Sequence, residues 1–430
     1  MTKLSKCARS RAARRLKFES LEHRRLLTAS MEMFGDTLFI RGSMEADQIA
    51  IVDYGDGRVT ASNSAVHDGR PQEFTNVMHV LVRSKKGDDS VSYSMPDPSR
   101  GVQDIVVCMG PEGNNAFQFI AGPSSRDDTH EHHLTINGGA NSDRVALNFS
   151  QGAANWIIRS DLRGGDDQFA ARFVGDVNGT PTSQVQLNLR GGDGDDRYDL
   201  DFTNWIGTAD VKVDLGAGND TLRSSYVTLE PGRAAPGVDG EIIPCIRVAI
   251  DGGDGQDAVE LNFSLGRGEA EVKTDMGRGD DTFALRADSH PTDSEIIPCI
   301  RVALTGGDGN DSLGINLQGF SGNSDLYVDA GAGNDSVRVL ADPPPDRLTA
   351  TLRGGEGNDA IEMIFSRLGR TTGESLVSIL GDAGDDSLLL DPGNLAVLKL
   401  RARLDGGSGF DRAKAPRFAS VVNVEARTTL

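Results

Sequence analysis

The feature that most constrains this chain is a turn rich in glycine and aspartate that recurs along most of its length. Strong copies read RGGDGDDRYDL (190–200), DGGDGQDAVEL (251–261) and TGGDGNDSLGI (305–315). The last acidic or amide position of each copy serves as an anchor, and the anchors are Asp47, Asp89, Asn115, Asp143, Asp167, Asp196, Asp220, Asp257, Asp281, Asp311, Asp335, Asp359, Asp386 and Asp411. Their spacing returns repeatedly to 24 residues. Such a repeat predicts units that stack in order to bury their apolar faces.

Each period contains two short runs that alternate apolar and polar residues, such as VKVDL before a turn and SLGINL after one. Alternation of this length predicts β-strands. The glycines allow the positive φ angles and close backbone approach that a tight corner requires. We therefore predict an all-β chain in which residues 31–416 form a parallel β-solenoid of 24-residue coils. At roughly 4.8 Å per coil the rod is about 60 Å long. Residues 417–430 would cap its end.

The copies alternate between a GGDGxD type and a GxGND type, which gives a double unit. EIIPCIRVAIDGGDGQD (241–257) and EIIPCIRVALTGGDGND (295–311) show that this double unit has been duplicated. Four strands per double unit also suit a seven-bladed β-propeller, and a stack of antiparallel sandwiches is a further alternative. An aromatic content of 5% and a corner at half the unit favour the solenoid. Inserts such as 227–240, 287–294 and 341–346 predict loops at one corner.

The charge of the chain is divided between a short basic head and a long acidic body. The whole chain carries 44 Lys and Arg against 64 Asp and Glu, a net charge of −20. Residues 1–28 hold nine basic and two acidic residues, so the remainder has 35 − 62 = −27. An acidic body repels a phosphate backbone, which argues against nucleic acid as a partner. No stretch reaches the 18 or so apolar residues of a membrane span.

The turns GGDGNDSL (306–313), GGDGQDAV (252–259) and GGEGNDAI (354–361) resemble the calcium-binding repeats of the repeats-in-toxin, or hemolysin-type, family. The resemblance implies a secreted bacterial protein in which turn carboxylates and backbone carbonyls hold Ca²⁺. The positions that it implies as metal ligands are Asp193, Asp196, Asp220, Asp254, Asp257, Asp281, Asp308, Asp311, Asp335, Glu356, Asp359 and Asp386. It covers the corners only, since the nine-residue tandem period of that family is missing here.

Electrostatics gives a separate reason to expect a cation. Stacked coils place equivalent carboxylates roughly 4.8 Å apart, where two unit charges repel by about 3.5 kcal/mol at an effective dielectric of 20. An ion midway between two coils lies about 2.4 Å from each along the axis, which suits the oxygen distances of Ca²⁺ better than those of Mg²⁺. The alternative is that Asp and Asn only form turns by hydrogen-bonding their own backbone. Asn219, Asn310, Asn334 and Asn358 dilute the charge and support that alternative.

The basic head, residues 1–30, reads as a targeting or processed segment. Within it, FESLEHRRLLTA (18–29) resembles the LEPR-XLL motif at the amino-terminus of large exported planctomycete proteins, with His23 where that family has Pro. The matching positions are Leu21, Glu22, Arg24, Leu26, Leu27 and Ala29. The resemblance implies an extracellular or cell-surface location. An amphipathic basic helix or a disordered tail is the alternative.

Catalytic candidates are few. DDTHEHH (127–133) gathers carboxylates and imidazoles that allow weak metal binding, but it lacks HExxH spacing and lies between turns, so an exposed loop is expected. No GxSxG elbow is present. We expect a non-catalytic, calcium-binding structural or adhesive rod, whose partners are calcium ions and cell-surface polysaccharide or protein. The alternative is a polysaccharide-acting solenoid lyase or hydrolase, which should break the repeat at one cleft.

The four cysteines do not form a disulfide scaffold, since they are far apart in sequence. Cys245 and Cys299 lie at equivalent points of the duplicated segment. Two coils separate them by roughly 9.6 Å, and a disulfide needs Cα atoms within about 7 Å. We therefore predict two free thiols near a strand edge.

Overall fold

The computed structural model describes residues 29–98, 101–123, 130–150, 155–175, 184–205, 207–228, 244–266, 268–289, 297–342, 346–365, 374–393 and 399–430. Most of the basic head, including Cys7 and the LEPR-XLL-like residues before Ala29, therefore lies outside the described residues. So do the central parts of the three predicted corner inserts, 229–243, 290–296 and 343–345. Each of these gaps follows a strand of one sheet and precedes a strand of the other.

The described chain forms two long sheets. The first sheet contains β1 (Ser30–Phe34), β2 (Thr37–Arg41), β6 (His79–Arg83), β8 (Asp104–Cys108), β10 (Glu131–Asn137), β12 (Asn155–Gly164), β14 (Gln184–Asp193), β16 (Thr208–Ala217), β18 (Cys245–Asp254), β20 (Glu269–Asp275), β22 (Cys299–Asp308), β24 (Asn323–Ala332), β26 (Arg347–Glu356), β28 (Glu374–Ala383), β30 (Lys399–Asp405) and β32 (Ser420–Val422).

The second sheet contains β3 (Gln48–Asp53), β4 (Val59–Asn63), β5 (Gln72–Phe74), β7 (Ser90–Met95), β9 (Ala116–Ala121), β11 (Arg144–Ser150), β13 (Gln168–Val174), β15 (Arg197–Trp205), β17 (Thr221–Thr228), β19 (Ala258–Leu265), β21 (Thr282–Ser289), β23 (Ser312–Gln318), β25 (Ser336–Asp342), β27 (Ala360–Phe365), β29 (Ser387–Asp391), β31 (Arg412–Ala415) and β33 (Ala426–Thr429). A short 3-10 turn, His67–Gly69, follows β4.

From β6 onward the chain alternates between the sheets, and each strand pairs in parallel with the strand one coil away. In the first sheet, Val211 of β16 lies opposite Leu187 of β14 and Val248 of β18. In the second sheet, β19 pairs with β17 and β21 in the same way. This topology is the predicted parallel β-solenoid, and it excludes the propeller and the sandwich stack, whose strands pair within local antiparallel sheets.

The core lies between the two sheets and continues along the rod. Alternate residues of nearly every strand are buried, as in the IRVAI run of β18, where Ile246, Val248 and Ile250 face inward. A row of stacked rings occupies one inward position of the second sheet: Phe149, Phe173, Phe202, Tyr226 and Phe263, with successive ring centroids 4.6, 4.8, 5.0 and 4.9 Å apart. These distances match the strand spacing of roughly 4.8 Å, from which the rise of each coil was predicted.

The two ends of the rod are built differently. At the amino-terminal end, β1 pairs antiparallel with β2, and β4 pairs antiparallel with both β3 and β5. At the carboxyl-terminal end, β32 and β33 extend the two sheets in parallel. The predicted cap, residues 417–430, supplies both β32 and β33.

The two duplicated cysteines confirm the assignment of coils. Cys245 begins β18 and Cys299 begins β22, and both lie opposite Glu269 of the intervening β20. They are therefore two coils apart, and both thiols are free. The prediction of unbridged cysteines at a strand edge is confirmed.

The prediction of an exposed loop at 127–133 is wrong for its described part. Glu131–Asn137 is strand β10, because the alternation HHLTIN continues the pattern of the first sheet. His132 is 1% exposed, its Nδ1 lies 3.0 Å from the carbonyl oxygen of Val102, and its ring stacks on Trp156 at 4.7 Å. The polar residues of this segment suggested a loop. It is a strand because an imidazole can be buried when it stacks on another ring and is hydrogen-bonded. Asp127 and Asp128 lie outside the described residues.

Both glycines of the turn pass close to backbone of a neighbouring coil, since a Cβ on Gly307 would lie 1.9 Å from the carbonyl oxygen of Gly277. The second glycine, Gly307, has a φ of +112°, which disfavours any side chain. The first glycine, Gly306, is required because neighbouring atoms leave no space for a side chain at this position. A Cβ there would lie 2.1 Å from the carbonyl oxygen of Ala330 and 2.5 Å from Oδ2 of Asp311.

We predict opposite effects for two glycine-to-alanine substitutions. Gly306→Ala should lower the free energy of unfolding by about 1–3 kcal/mol, because the methyl group overlaps backbone of the next coil. Gly314→Ala should raise it by about 0.4–1 kcal/mol, because the new Cβ would lie 3.6 Å from its nearest neighbour and the unfolded chain loses freedom. Urea denaturation of both variants measures the difference. Equal effects would contradict the close-approach account.

Candidate functional site

A row of buried aspartates, the inner ladder, runs along the corner where the first sheet passes into the second. It consists of the predicted anchor residues from Asp47 to Asp411. At each step, the backbone N–H of one rung donates to the Oδ1 atom of the rung in the next coil. Asp257 N–H, for example, donates to Asp281 at 2.7 Å, and Asp311 N–H donates to Asp335 at 2.8 Å. The prediction that Asp257, Asp281, Asp311, Asp335 and Asp359 lie on successive coils is confirmed.

The second carboxylate oxygen of most rungs is buried without a hydrogen-bond partner. In Asp196, Asp257 and Asp311 this atom is Oδ2, and it lies beside the first glycine of its own turn. Burial raises the pKa of Asp257 and Asp311 to about 7 and that of Asp167 to about 8. Burial also raises the pKa of Asp196 and Asp281 to about 6. Protonation is therefore one way in which the ladder avoids the repulsion expected of stacked carboxylates.

Two positions of the row that are not aspartate show which part of the side chain the ladder requires. Asn115 replaces an aspartate, and its Oδ1 still accepts the N–H of Asp89 at 3.0 Å. Its Nδ2 donates to Asp143 at 2.9 Å. At the last coil, Oε2 of Glu425 accepts the N–H of Asp411 at 2.7 Å and completes the row. The common requirement is a side-chain oxygen acceptor, and a negative charge is dispensable.

The residue before most inner rungs belongs to a second row, the outer ladder, which is exposed and is hydrogen-bonded at most of its steps. Here the side chain of the earlier coil accepts the N–H of the later one: Asn219 donates to Asp195 at 2.7 Å, and Asn334 donates to Asn310 at 2.9 Å. Asn358 donates to Asn334 at 3.0 Å. The asparagines that diluted the charge in the sequence are thus hydrogen-bonding rungs. The sequence did not predict that these asparagines link neighbouring coils, although their regular recurrence signalled it.

The third residue of the GGDG turns forms a separate exposed row. Successive coils place Asp193, Ala217, Asp254, Arg278, Asp308, Ala332 and Glu356 at this position. Acidic residues therefore occur on every second coil, roughly 9.6 Å apart. Arg278 lies between two of them, 3.3 Å from Asp254 and 3.7 Å from Asp308. The double unit seen in the sequence is visible here as an alternation of charge.

The structure divides the twelve predicted metal ligands into two groups. Eight are inner rungs: Asp196, Asp220, Asp257, Asp281, Asp311, Asp335, Asp359 and Asp386. Four belong to the exposed row: Asp193, Asp254, Asp308 and Glu356. Among the described residues, no three His, Cys, Asp or Glu side chains converge on one point in a way that could hold a metal ion.

The outer face of the first sheet carries a groove of about 780 Å³ between β10 and β20. Asp214, Asp251 and Asp275 follow one another along its floor on adjacent strands. Burial, and then the neighbouring Asp214 and Asp275, raise the pKa of Asp251. Lys212 and Lys273 line the same groove two coils apart. The groove is thus polar and carries both signs of charge.

Comparison with known protein families and with curated proteins finds no match for this chain. In the part of the chain that the structure describes, no helix has the length and apolar character needed to cross a membrane.

We predict that the inner ladder needs an oxygen acceptor more than a charge. Asp257→Ala should lower the free energy of unfolding by about 1–3 kcal/mol, because it leaves the buried N–H of Asp220 unpaired. Asp257→Asn should change it far less, because the amide oxygen replaces Oδ1 as Asn115 does. Chemical denaturation of both variants tests this. Equal losses in the two would show that the charge itself matters.

We also predict an unusual dependence of stability on pH. Burial raises the pKa of several rungs in the folded state from 3.8, to about 6 in Asp196, about 7 in Asp257 and about 8 in Asp167. The resulting stabilisation is fully present below the unfolded pKa and is lost as pH rises through that range. In the presence of a chelator, the free energy of unfolding should therefore fall from about pH 4, just above the unfolded pKa of 3.8, to about pH 8, the highest of the folded pKa values. Asp257→Asn should reduce the slope. A free energy that rises over this interval in both proteins would contradict the prediction.

Proposed function

We propose that this chain is a non-catalytic, calcium-binding repeat protein of the bacterial cell surface or exterior, which acts as a structural or adhesive rod. The observation that supports this most is the even distribution of its polar features. The inner ladder spans the rod from Asp47 to Asp411, and the outer ladder and the exposed acidic row follow the same repeat. A solenoid enzyme would instead concentrate its polar groups in one cleft.

The groove of the first sheet fits the same distribution. The column that contains Asp214, Asp251 and Asp275 continues in both directions as a mixed row. The row reads Asp161, Arg190, Asp214, Asp251, Asp275, Thr305, Asp329, Arg353, Leu380 and Asp405 on successive strands. Its carboxylates thus belong to a long row on an open face. Such a face, with cationic and anionic side chains in adjacent rows, suits contact with an extended polar polymer, and we propose cell-surface polysaccharide as the adhesive partner.

Calcium suits the exposed turn residues better than the inner ladder. Inner rungs have one oxygen bonded to a backbone N–H and the other packed against a glycine, which leaves little room for an ion with six to eight oxygen ligands. Asp254 and Asp308 are largely exposed, with 66% and 74% of their side chains accessible. Together with the outer ladder they offer the carboxylate and amide oxygens that Ca²⁺ prefers. The proposed ligands are therefore Asp193, Asp254, Asp308 and Glu356.

Export of the rod is proposed from the LEPR-XLL-like head and from the acidic, cysteine-poor body. Calcium outside the cell would neutralise part of the remaining negative charge of the exposed turns, where Asp254 and Asp308 share a single arginine, Arg278. Calcium would then act as a stiffening ligand of the folded chain.

We predict that millimolar Ca²⁺ raises the melting temperature of the full chain near pH 8, and that a chelator lowers it, because the ion binds the folded turns preferentially. The double variant Asp254→Asn/Asp308→Asn should lose part of this shift. Asp325→Asn, on the outer face of β24, is the matched control and should retain it. A melt that is indifferent to both Ca²⁺ and chelator would leave the turn aspartates with a structural role only.

A further inference from the structure

Five titratable side chains meet on the outer face of the first sheet, near the amino-terminal end of the rod. His79, Asp104 and His133 lie directly opposite one another on the adjacent strands β6, β8 and β10. Glu131 lies two residues before His133 on the same face, and Asp36 lies in the turn between β1 and β2. We call these five residues the histidine cluster. It lies apart from the glycine and aspartate turns.

The cluster is a continuous chain of imidazole and carboxylate groups. Nδ1 of His79 is 2.8 Å from one oxygen of Asp104, and Nδ1 of His133 is 3.2 Å from the other. Nε2 of His133 is 2.8 Å from Oε1 of Glu131. Nε2 of His79 is 3.9 Å from Asp36. Each imidazole thus has a carboxylate near both of its ring nitrogens.

This arrangement favours a positively charged centre. A neutral imidazole has one N–H donor and one lone pair, so one of its nitrogens cannot donate to the carboxylate beside it. For His133, a lone pair then faces a carboxylate oxygen. A second proton on the ring or a bound divalent cation removes that conflict, and the cation does so by turning the nitrogen and the oxygen into ligands. Three carboxylates around two imidazoles also give the cluster a negative charge that attracts cations.

The donor types select a class of metal. Imidazole nitrogen with carboxylate oxygen suits Zn²⁺ and neighbouring transition metals, whereas Ca²⁺ and Mg²⁺ prefer oxygen alone. Around a tetrahedral ion with bonds of about 2.05 Å, neighbouring ligand atoms lie about 3.3 Å apart. The nitrogen-to-oxygen distances of 2.8 and 3.2 Å at Asp104 are pairwise contacts, which place the donor atoms within reach of a common ion without surrounding one.

We propose that His79, Asp104 and His133, with Glu131 as a fourth ligand, bind one Zn²⁺ ion. In their present positions the side chains are joined in pairs, and no three of them converge on one point. Binding therefore requires rotation of the imidazoles. Their exposure permits it, since 36% of the His79 side chain and 38% of the His133 side chain are accessible. The ion would join three coils near the antiparallel end of the rod.

Calorimetric titration of the metal-free full chain with ZnCl₂ near neutral pH tests the proposal. We expect one site, and we expect His79→Asn and His133→Gln each to weaken its affinity at least tenfold. The matched control is His67→Asn, which replaces an exposed histidine of the 3-10 turn and should leave the affinity unchanged. Excess Ca²⁺ should not displace the zinc, so the test of the zinc site is independent of the proposed calcium function.

A second readout guards against a change of fold in the variants. Far-ultraviolet circular dichroism should be the same for all four proteins, since the substituted side chains are exposed. Co²⁺ in place of Zn²⁺ should give the visible absorption bands of a tetrahedral nitrogen and oxygen site in the wild type and in His67→Asn only. No zinc binding by the wild type, or unchanged binding by both cluster variants, would overturn the proposal.

Discussion

The hydrogen bond between the backbone N–H of one buried aspartate and the Oδ1 atom of the next holds this rod in register. At the corner where the chain leaves one sheet for the other, the glycine N–H groups bond to backbone carbonyls of the next coil, but the N–H of each inner rung bonds to a side chain, and buried N–H groups must be paired. The inner ladder supplies that partner in every coil, from Asp47 N–H bonded to Asp89 through Asp386 N–H bonded to Asp411. Because each side chain serves the preceding coil, a coil is satisfied at this corner only when its neighbour is present.

This constraint explains why the corner sequence varies so little at some positions and so freely at others. The inner rung must carry an oxygen acceptor, and the first glycine must leave room for it. The third turn residue faces solvent, so it can be Asp308, Ala332 or Arg278 without cost to the core. The same division separates structure from function along the rod: the inner ladder and the ring stack build it, whereas the exposed rows and the histidine cluster are available to ions and partners.

Much of the fold could be predicted from the sequence because its local signals agree. Period-two strands, glycine corners and a 24-residue interval all required parallel stacking, and the position of Cys245 relative to Cys299 followed from them. The site was predicted less completely. Spacing identified the aspartates but could not show that Asp311 is buried while Asp308 is exposed, since that depends on the path of the corner. Nor could it show that His133 and His79 both contact Asp104, because the intervals between these strands depart from 24 residues.

Hydrogen exchange at the ladder amides tests the central claim most directly. The amide of Asp220, whose acceptor is Asp257, should exchange slowly in the wild type, as slowly in Asp257→Asn, and much faster in Asp257→Ala. Amides of the ring-stack strands should remain protected in all three proteins at the same time. Equal protection of the Asp220 amide in Asp257→Ala would contradict the account, because it would show that the coils stay in register without the side-chain acceptor.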